Sequence, residues 1–221
     1  MLSKALLLVS ILGAAAACST ATPVLTGHET PERAVVAWFE AIDGGDHESA
    51  SGAIHGESLA LILGVENDLD AATIAAYLDG GVPAGLQASY WASFAAGFVE
   101  FASRPISTLT VGESKLFASE GVEFASVPVS GGANDASIVM VRMRDDGMWE
   151  VDLVASLGDG FTRLLASDYL VLPDDASGDR VRQAYADVVV PALWAAMSDG
   201  SFGDSFARSA LALIDSVSRE P

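Results

Sequence analysis

Apolar residues recur at helical spacing through the first hundred positions and at alternate positions from Ser107 onward, so the chain divides into a helical part and a stranded part. Val35, Trp38, Phe39 and Ile42 stand at i, i+3, i+4 and i+7 and form one face of an amphipathic helix. Thr30 followed by Pro31 marks its start, a capping hydroxyl ahead of a proline at the first helical position. Gly44 and Gly45 stop it, and Asp46 is placed to cap a second, shorter helix running to about Ile54. Gly56 to Tyr77 reads as further short helices, with Leu59, Ile62 and Leu63 on one side and Asp70 opening the next segment. After Gly80, Gly81 and Pro83, the stretch GLQASYWASFAAGFVEFAS carries Tyr90, Trp91, Phe94, Phe98 and Phe101 near helical spacing; it predicts one long, mostly buried helix.

Four strands follow: STLTVGES, GVEFASVPVS, ASIVMVRMR and MWEVDLVA. GGAND joins the second to the third, and Asp145, Asp146 and Gly147 join the third to the fourth as a tight hairpin. Short turns imply antiparallel pairing, and Pro128 predicts an edge position or a bulge because it has no N–H for a ladder. Beyond Leu157 helices return: about Phe161 to Tyr169, Ser177 to Met197 with a kink at Pro191, and Phe202 to Val217.

The chain opens with Lys4, an apolar run from Ala5 to Ala17, and the sole cysteine, Cys18. The run falls short of the ~20 residues of a membrane-spanning helix, so it reads as a secretory signal. Ala15, Ala16 and Ala17 directly before Cys18 resemble the lipobox of bacterial lipoproteins. That resemblance implies a diacylglyceryl group on the thiol and further N-acylation by palmitate-class chains, enough for stable anchoring. A lone thiol has no partner for a disulfide or redox pair. The net charge of −19 sets nucleic acid aside, since phosphates and this surface repel one another. Hydrophobic residues at 51% and charged ones at 19% exclude a disordered composition and allow a large core.

ETPERAVVAWFEAIDGGD and MWEVDLV resemble the nuclear transport factor 2-like superfamily, in particular its bacterial secreted and lipid-anchored branch. Its first motif is matched by Pro31, Glu32, Trp38, Phe39, Gly45 and Asp46. The resemblance covers roughly Glu29 to Ala155. It implies a curved antiparallel sheet wrapped around the first helices as a cone with a pocket inside. The helices between Ala53 and Ser103 form an insertion relative to small family members, and those after Leu157 lie outside the family pattern.

Enzymes of that superfamily, such as ketosteroid isomerase, place a carboxylate or histidine inside the cone as acid or base. On the last strand Trp149, Val151 and Leu153 point one way, so Glu150 and Asp152 are expected to face water. The sharper alternative sets Asp152 on the concave side as the base. His28 lies before the first helix, His47 at the first turn of the second and His55 at its end; none forms a pair at metal-ligand spacing, and no metal or cofactor is predicted. No G-x-S-x-G elbow or phosphate loop is present. The acidic pairs Asp145-Asp146 and Asp174-Asp175 lack the alternating ligands of a calcium loop. Trp38, Phe39, Tyr90, Trp91, Phe94 and Trp149 remain as core or as the lining of a ligand pocket.

The sequence therefore predicts an α+β fold: N-terminal helices on a curved antiparallel sheet of about four strands, with a helical insertion and extra C-terminal helices. Its divisions are a lipoprotein signal (1–17), a linker (18–28), a nuclear transport factor 2-like domain (29–157) and a C-terminal helical extension (158–221). The expected function is a lipid-anchored extracytoplasmic binding or accessory module of the bacterial envelope, non-enzymatic, with a small apolar ligand or an envelope protein as partner. The alternative is a cone-pocket isomerase, cyclase or hydratase using Asp152.

Overall fold

The computed structural model describes residues 27–131 and 136–219. Cys18, the signal and most of the GGAND connection lie outside the described residues. The fold is α+β, a curled antiparallel half-barrel sheet with helices on its N-terminal and C-terminal sides in the chain.

Capping chemistry sets the first helices where the sequence puts them. Helix α1 (Pro31–Asp43) starts with the Thr30 hydroxyl accepting the Arg33 N–H at 3.3 Å. Helix α2 (His47–Gly52) starts with Asp46 accepting the Ser49 N–H at 3.1 Å. Helix α3 (Gly56–Glu66) is buried at every position from Ser58 to Gly64, as suits a helix apolar all round. Asp70 caps α4 (Ala71–Gly80) through the Thr73 N–H at 2.8 Å. Helix α5 (Ala84–Ala102) is a single long helix as expected, but it is not mostly buried. Among its residues of described burial only Gln87 and Trp91 are enclosed, because small residues such as Ala92, Ser93, Ala96 and Gly97 form an exposed back.

A short 3₁₀ turn (Ile106–Thr108) leads into the sheet, whose strands are β1 (Thr110–Val111), β2 (Lys115–Ser119), β3 (Val122–Ser130), β4 (Ala136–Met143) and β5 (Trp149–Val151). The order is β1-β3-β4-β5, and β2 pairs with β3 on the same edge as β1. The expected first strand, STLTVGES, keeps only the two residues of β1: the chain bends after Val111, where the Glu32 carboxylate accepts the Ser114 N–H at 2.8 Å, and β2 follows as a further strand that the pattern did not predict. Pro128 lies in the central strand, not at an edge. Its carbonyl accepts the Gly112 N–H at 2.8 Å, so its missing donor faces the gap between β1 and β2, where β3 has no ladder partner.

Helix α1 packs on β3, β4 and β5, helix α9 (Val190–Asp199) on β2 and β3, and helix α6 (Leu153–Ser156) on β4. Consecutive burial of Phe124, Ala125, Ser126 and Val127 shows the centre of the sheet covered on both faces. Strand β5 ends early because Asp152 leaves it to cap α6 (Leu153–Ser156), its Oδ1 accepting the Ala155 N–H at 2.9 Å. Then come α7 (Asp159–Tyr169), α8 (Ala176–Ala184), a π turn (Tyr185–Val189), α9 (Val190–Asp199) and α10 (Gly203–Arg219). Val181, Leu193 and Leu213 of these helices belong to the same hydrophobic core as Val35, Trp38 and Val141.

Candidate functional site

Directly opposed residues in a sheet share a face, and the register aligns Phe117, Phe124, Arg142 and Glu150 in one row across β2, β3, β4 and β5. Phe117 stacks on Phe124 at 6.1 Å between centroids, and the Arg142 guanidinium lies 5.9 Å from the Phe124 ring centre. Arg142 Nε stands 3.9 Å from Glu150 Oε1, an ion pair too long for a hydrogen bond. Arg142 Nη1 is buried and has no hydrogen-bond partner.

The third member arrives from outside the regular sheet. Ile54 bridges Val151 in parallel; Ala53 O accepts the Val151 N–H and Val151 O accepts the His55 N–H, each at 2.9 Å. His28 covers the next step of the same edge by exchanging two backbone hydrogen bonds with Trp149. His55 is thereby fixed against β5, with its Nδ1 buried and unpartnered.

His55, Arg142 and Glu150 line a cavity of about 1170 Å³. Its walls include Leu59, Val82, Val122, Met143 and Val188. Acids crowd its outer lining: Glu57 and Asp79 are held by Arg180 at 2.6 and 2.7 Å, Asp146 is held by Arg144 at 2.7 Å, and Glu123, Asp145 and Asp187 stand outside these pairs. A second, smaller hollow of about 370 Å³ is lined by His28, Glu40, Asp46 and Ser49 with three alanines.

Burial governs the titration of the floor. Glu150 is 4% exposed and its carboxyl is pushed up to about 7 by burial, with Arg142 and Arg144 opposing and Asp152 and Asp146 adding to the rise. Burial and then the Arg142 charge hold the His55 imidazole down at about 3, so it is neutral across the physiological range. Asp152 is fully enclosed, and burial raises its carboxyl against the pull of the Ala155 N–H and Arg142.

Both acids of the last strand are thus interior, contrary to the expectation that they face water. Alternation identifies the water face only when one face of a strand is free, and here both are covered. Asp152 is also not part of the cavity wall: its Oδ1 is engaged as a helix cap and its Oδ2 is buried without a partner. The aromatic set does not line either cavity. Trp38 contacts Phe39, Trp91 and Phe94 at 5.3 to 6.1 Å, and Tyr90 lies 4.8 Å from Trp91. Trp91 Nε1 donates to Ser51 Oγ at 2.7 Å. Trp149 is buried on β5, on the face opposite Glu150. Trp38, Phe39, Trp91 and Trp149 are core and Tyr90 and Phe94 pack against it, and of the row across the sheet it is Arg142 and Glu150 that meet the cavity. Among the described residues no cluster of three or more His, Cys, Asp or Glu is arranged to hold a metal.

Comparison with protein-family models, with curated proteins and with solved structures finds no match.

Proposed function

We propose that this protein is a small-molecule binding module of the bacterial envelope, held to a membrane by lipid on Cys18 and non-catalytic. The observation that carries the binding reading is the cavity of about 1170 Å³ with His55, Arg142 and Glu150 in its wall and with Nδ1 of His55 and Nη1 of Arg142 unpartnered. A buried donor without an acceptor costs free energy, and Arg142 is part of the cavity lining, so a molecule that supplies an acceptor to its guanidinium is favoured there. The lipobox-like residues Ala15 to Cys18 support the anchor. The Pro31 to Asp46 motif and the curled antiparallel sheet support a nuclear transport factor 2-like assignment.

A cone-pocket enzyme of isomerase, cyclase or hydratase type is the second reading. It is favoured by a cavity carboxyl poised near neutrality, and that carboxyl is Glu150. Native mass spectrometry of the full chain, extracted from the envelope of its own host in mild detergent, tests the binding reading. The expected result is the lipidated chain plus one small molecule recovered unchanged. A bare chain mass under conditions that preserve the fold overturns the binding reading, and recovery of a substrate and product mixture favours the enzyme.

A further inference from the structure

Resting on that binding reading, we infer that the cavity takes a small zwitterion, a molecule with a carboxylate seated on Arg142 and a cationic group toward the acidic rim, separated by a short apolar span. Three independent features converge on this class. Arg142 and Arg144 both line the cavity and each has an Nη1 buried without an acceptor, but Arg144 is held by Asp146 at 2.7 Å whereas the nearest acid to Arg142, Glu150, is 3.9 Å away, so Arg142 is the arginine left for a ligand. A guanidinium presents a planar fork suited to a carboxylate, which would accept in two parallel hydrogen bonds. His55 is held neutral beside it, so it adds no second positive charge, and its unpartnered Nδ1 stands ready to exchange a hydrogen bond.

The rim selects the other end of the molecule. Glu123, Asp145 and Asp187 are exposed members of the cavity lining, outside the ion pairs that occupy Glu57, Asp79 and Asp146. A polyanion such as a nucleotide or a phosphorylated sugar would meet this rim and a chain of net charge −19 before reaching Arg142, and the second arginine of the lining, Arg144, is already held by Asp146. An ammonium group meets attraction there. Leu59, Val122, Met143 and Val188 of the same lining offer apolar walls that suit methylene groups.

The test uses the full chain in detergent micelles, titrated calorimetrically at low salt with 6-aminohexanoate, hexanoate and hexylamine. The first carries both charges, the second only the carboxylate and the third only the cation. 6-Aminohexanoate is expected to bind roughly fivefold more tightly than hexanoate, with hexylamine weakest. Arg142→Gln should weaken both carboxylates by roughly tenfold to a hundredfold. Asp145→Asn combined with Asp187→Asn should bring 6-aminohexanoate down to the level of hexanoate and leave hexanoate no weaker. Arg142→Lys, which keeps the charge but not the fork, gives an intermediate loss and serves as the second variant should Arg142→Gln lose its far-UV circular dichroism. Hexylamine binding as tightly as 6-aminohexanoate, or carboxylate binding unchanged in folded Arg142→Gln and Arg142→Lys, overturns the inference. Absence of binding by all three probes overturns it too. In that case a small molecule retained in the native mass spectrum leaves the binding reading standing with another ligand class, whereas a bare chain removes both.

Discussion

At the scale of residues, the site turns on how far a carboxyl can be taken from water. Glu150 in the unfolded chain titrates in the ordinary carboxylate range, and in the fold it is pushed up to about 7. A raised carboxyl binds its proton more tightly when folded, so its contribution to stability is fully present at acid pH and is lost as pH climbs through 7. Buried neutral His55 works in the opposite sense, costing stability as pH falls below the ordinary histidine value toward 3. Glu150→Gln removes the first effect alone. Its stability in urea unfolding should match the wild type near pH 4 and exceed it at pH 8 by up to roughly 3 kcal/mol. A variant uniformly less stable at both pH values would show that Glu150 contributes through its contact with Arg142 rather than through its burial. None of this was legible in MWEVDLV, because alternation cannot show that the acid face is buried as well as the apolar one. His55 was hidden for a related reason: it joins the sheet through one isolated bridge from a loop, which leaves no periodic signal.

At the scale of elements, caps and turns were readable and close approaches were not. Helix α1, the short α2 and the β4–β5 hairpin follow from Thr30-Pro31, Gly44-Gly45-Asp46 and Asp145-Asp146-Gly147, because each of those groups closes a local hydrogen-bond problem. Strand β2 was missed because its place beside β1 on one edge of β3 depends on the Glu32 contact to Ser114, 82 residues apart in sequence. The kink expected at Pro191 takes the form of a π turn over Tyr185–Val189, the wider turn relieving the clash a proline ring makes with the preceding turn. Helix α8 shows what packing demands at its start. Asp175 Oδ1 accepts the N–H groups of Ser177 and Gly178, each at 3.0 Å, and draws the first turn back onto Pro173. A Cβ on Gly178 would overlap the Pro173 carbonyl oxygen, a backbone atom that cannot swing aside. Gly178→Ala should therefore destabilise the protein by about 2 kcal/mol or more despite the better helix propensity of alanine, measured by thermal or urea unfolding. Unchanged or increased stability would mean that the segment from Pro173 to Asp175 moves at little cost.

At the scale of the whole molecule, the charge that shapes the rim also bears on the proposed attachment to a membrane. A net charge of −19 repels anionic headgroups, and no helix among the described residues is long and apolar enough to cross a bilayer. The acyl chains proposed on Cys18 would supply attachment through buried methylene groups, a hold insensitive to ionic strength. Screening by salt weakens repulsion within about 10 Å at 0.1 M, so it cannot release a lipid anchor and, if anything, lets the acidic face approach more closely. Two outcomes follow from that physics for fractionated envelopes probed by immunoblot. The wild-type chain should stay with membranes through a wash at 1 M salt and leave only with detergent. Cys18→Ser should appear in the soluble fraction at every salt concentration, or accumulate as a heavier precursor that retains residues 1–17. Mature Cys18→Ser that remained on membranes and was stripped by salt would place the attachment on an electrostatic protein partner, and the anchor assigned to the thiol would be lost with it.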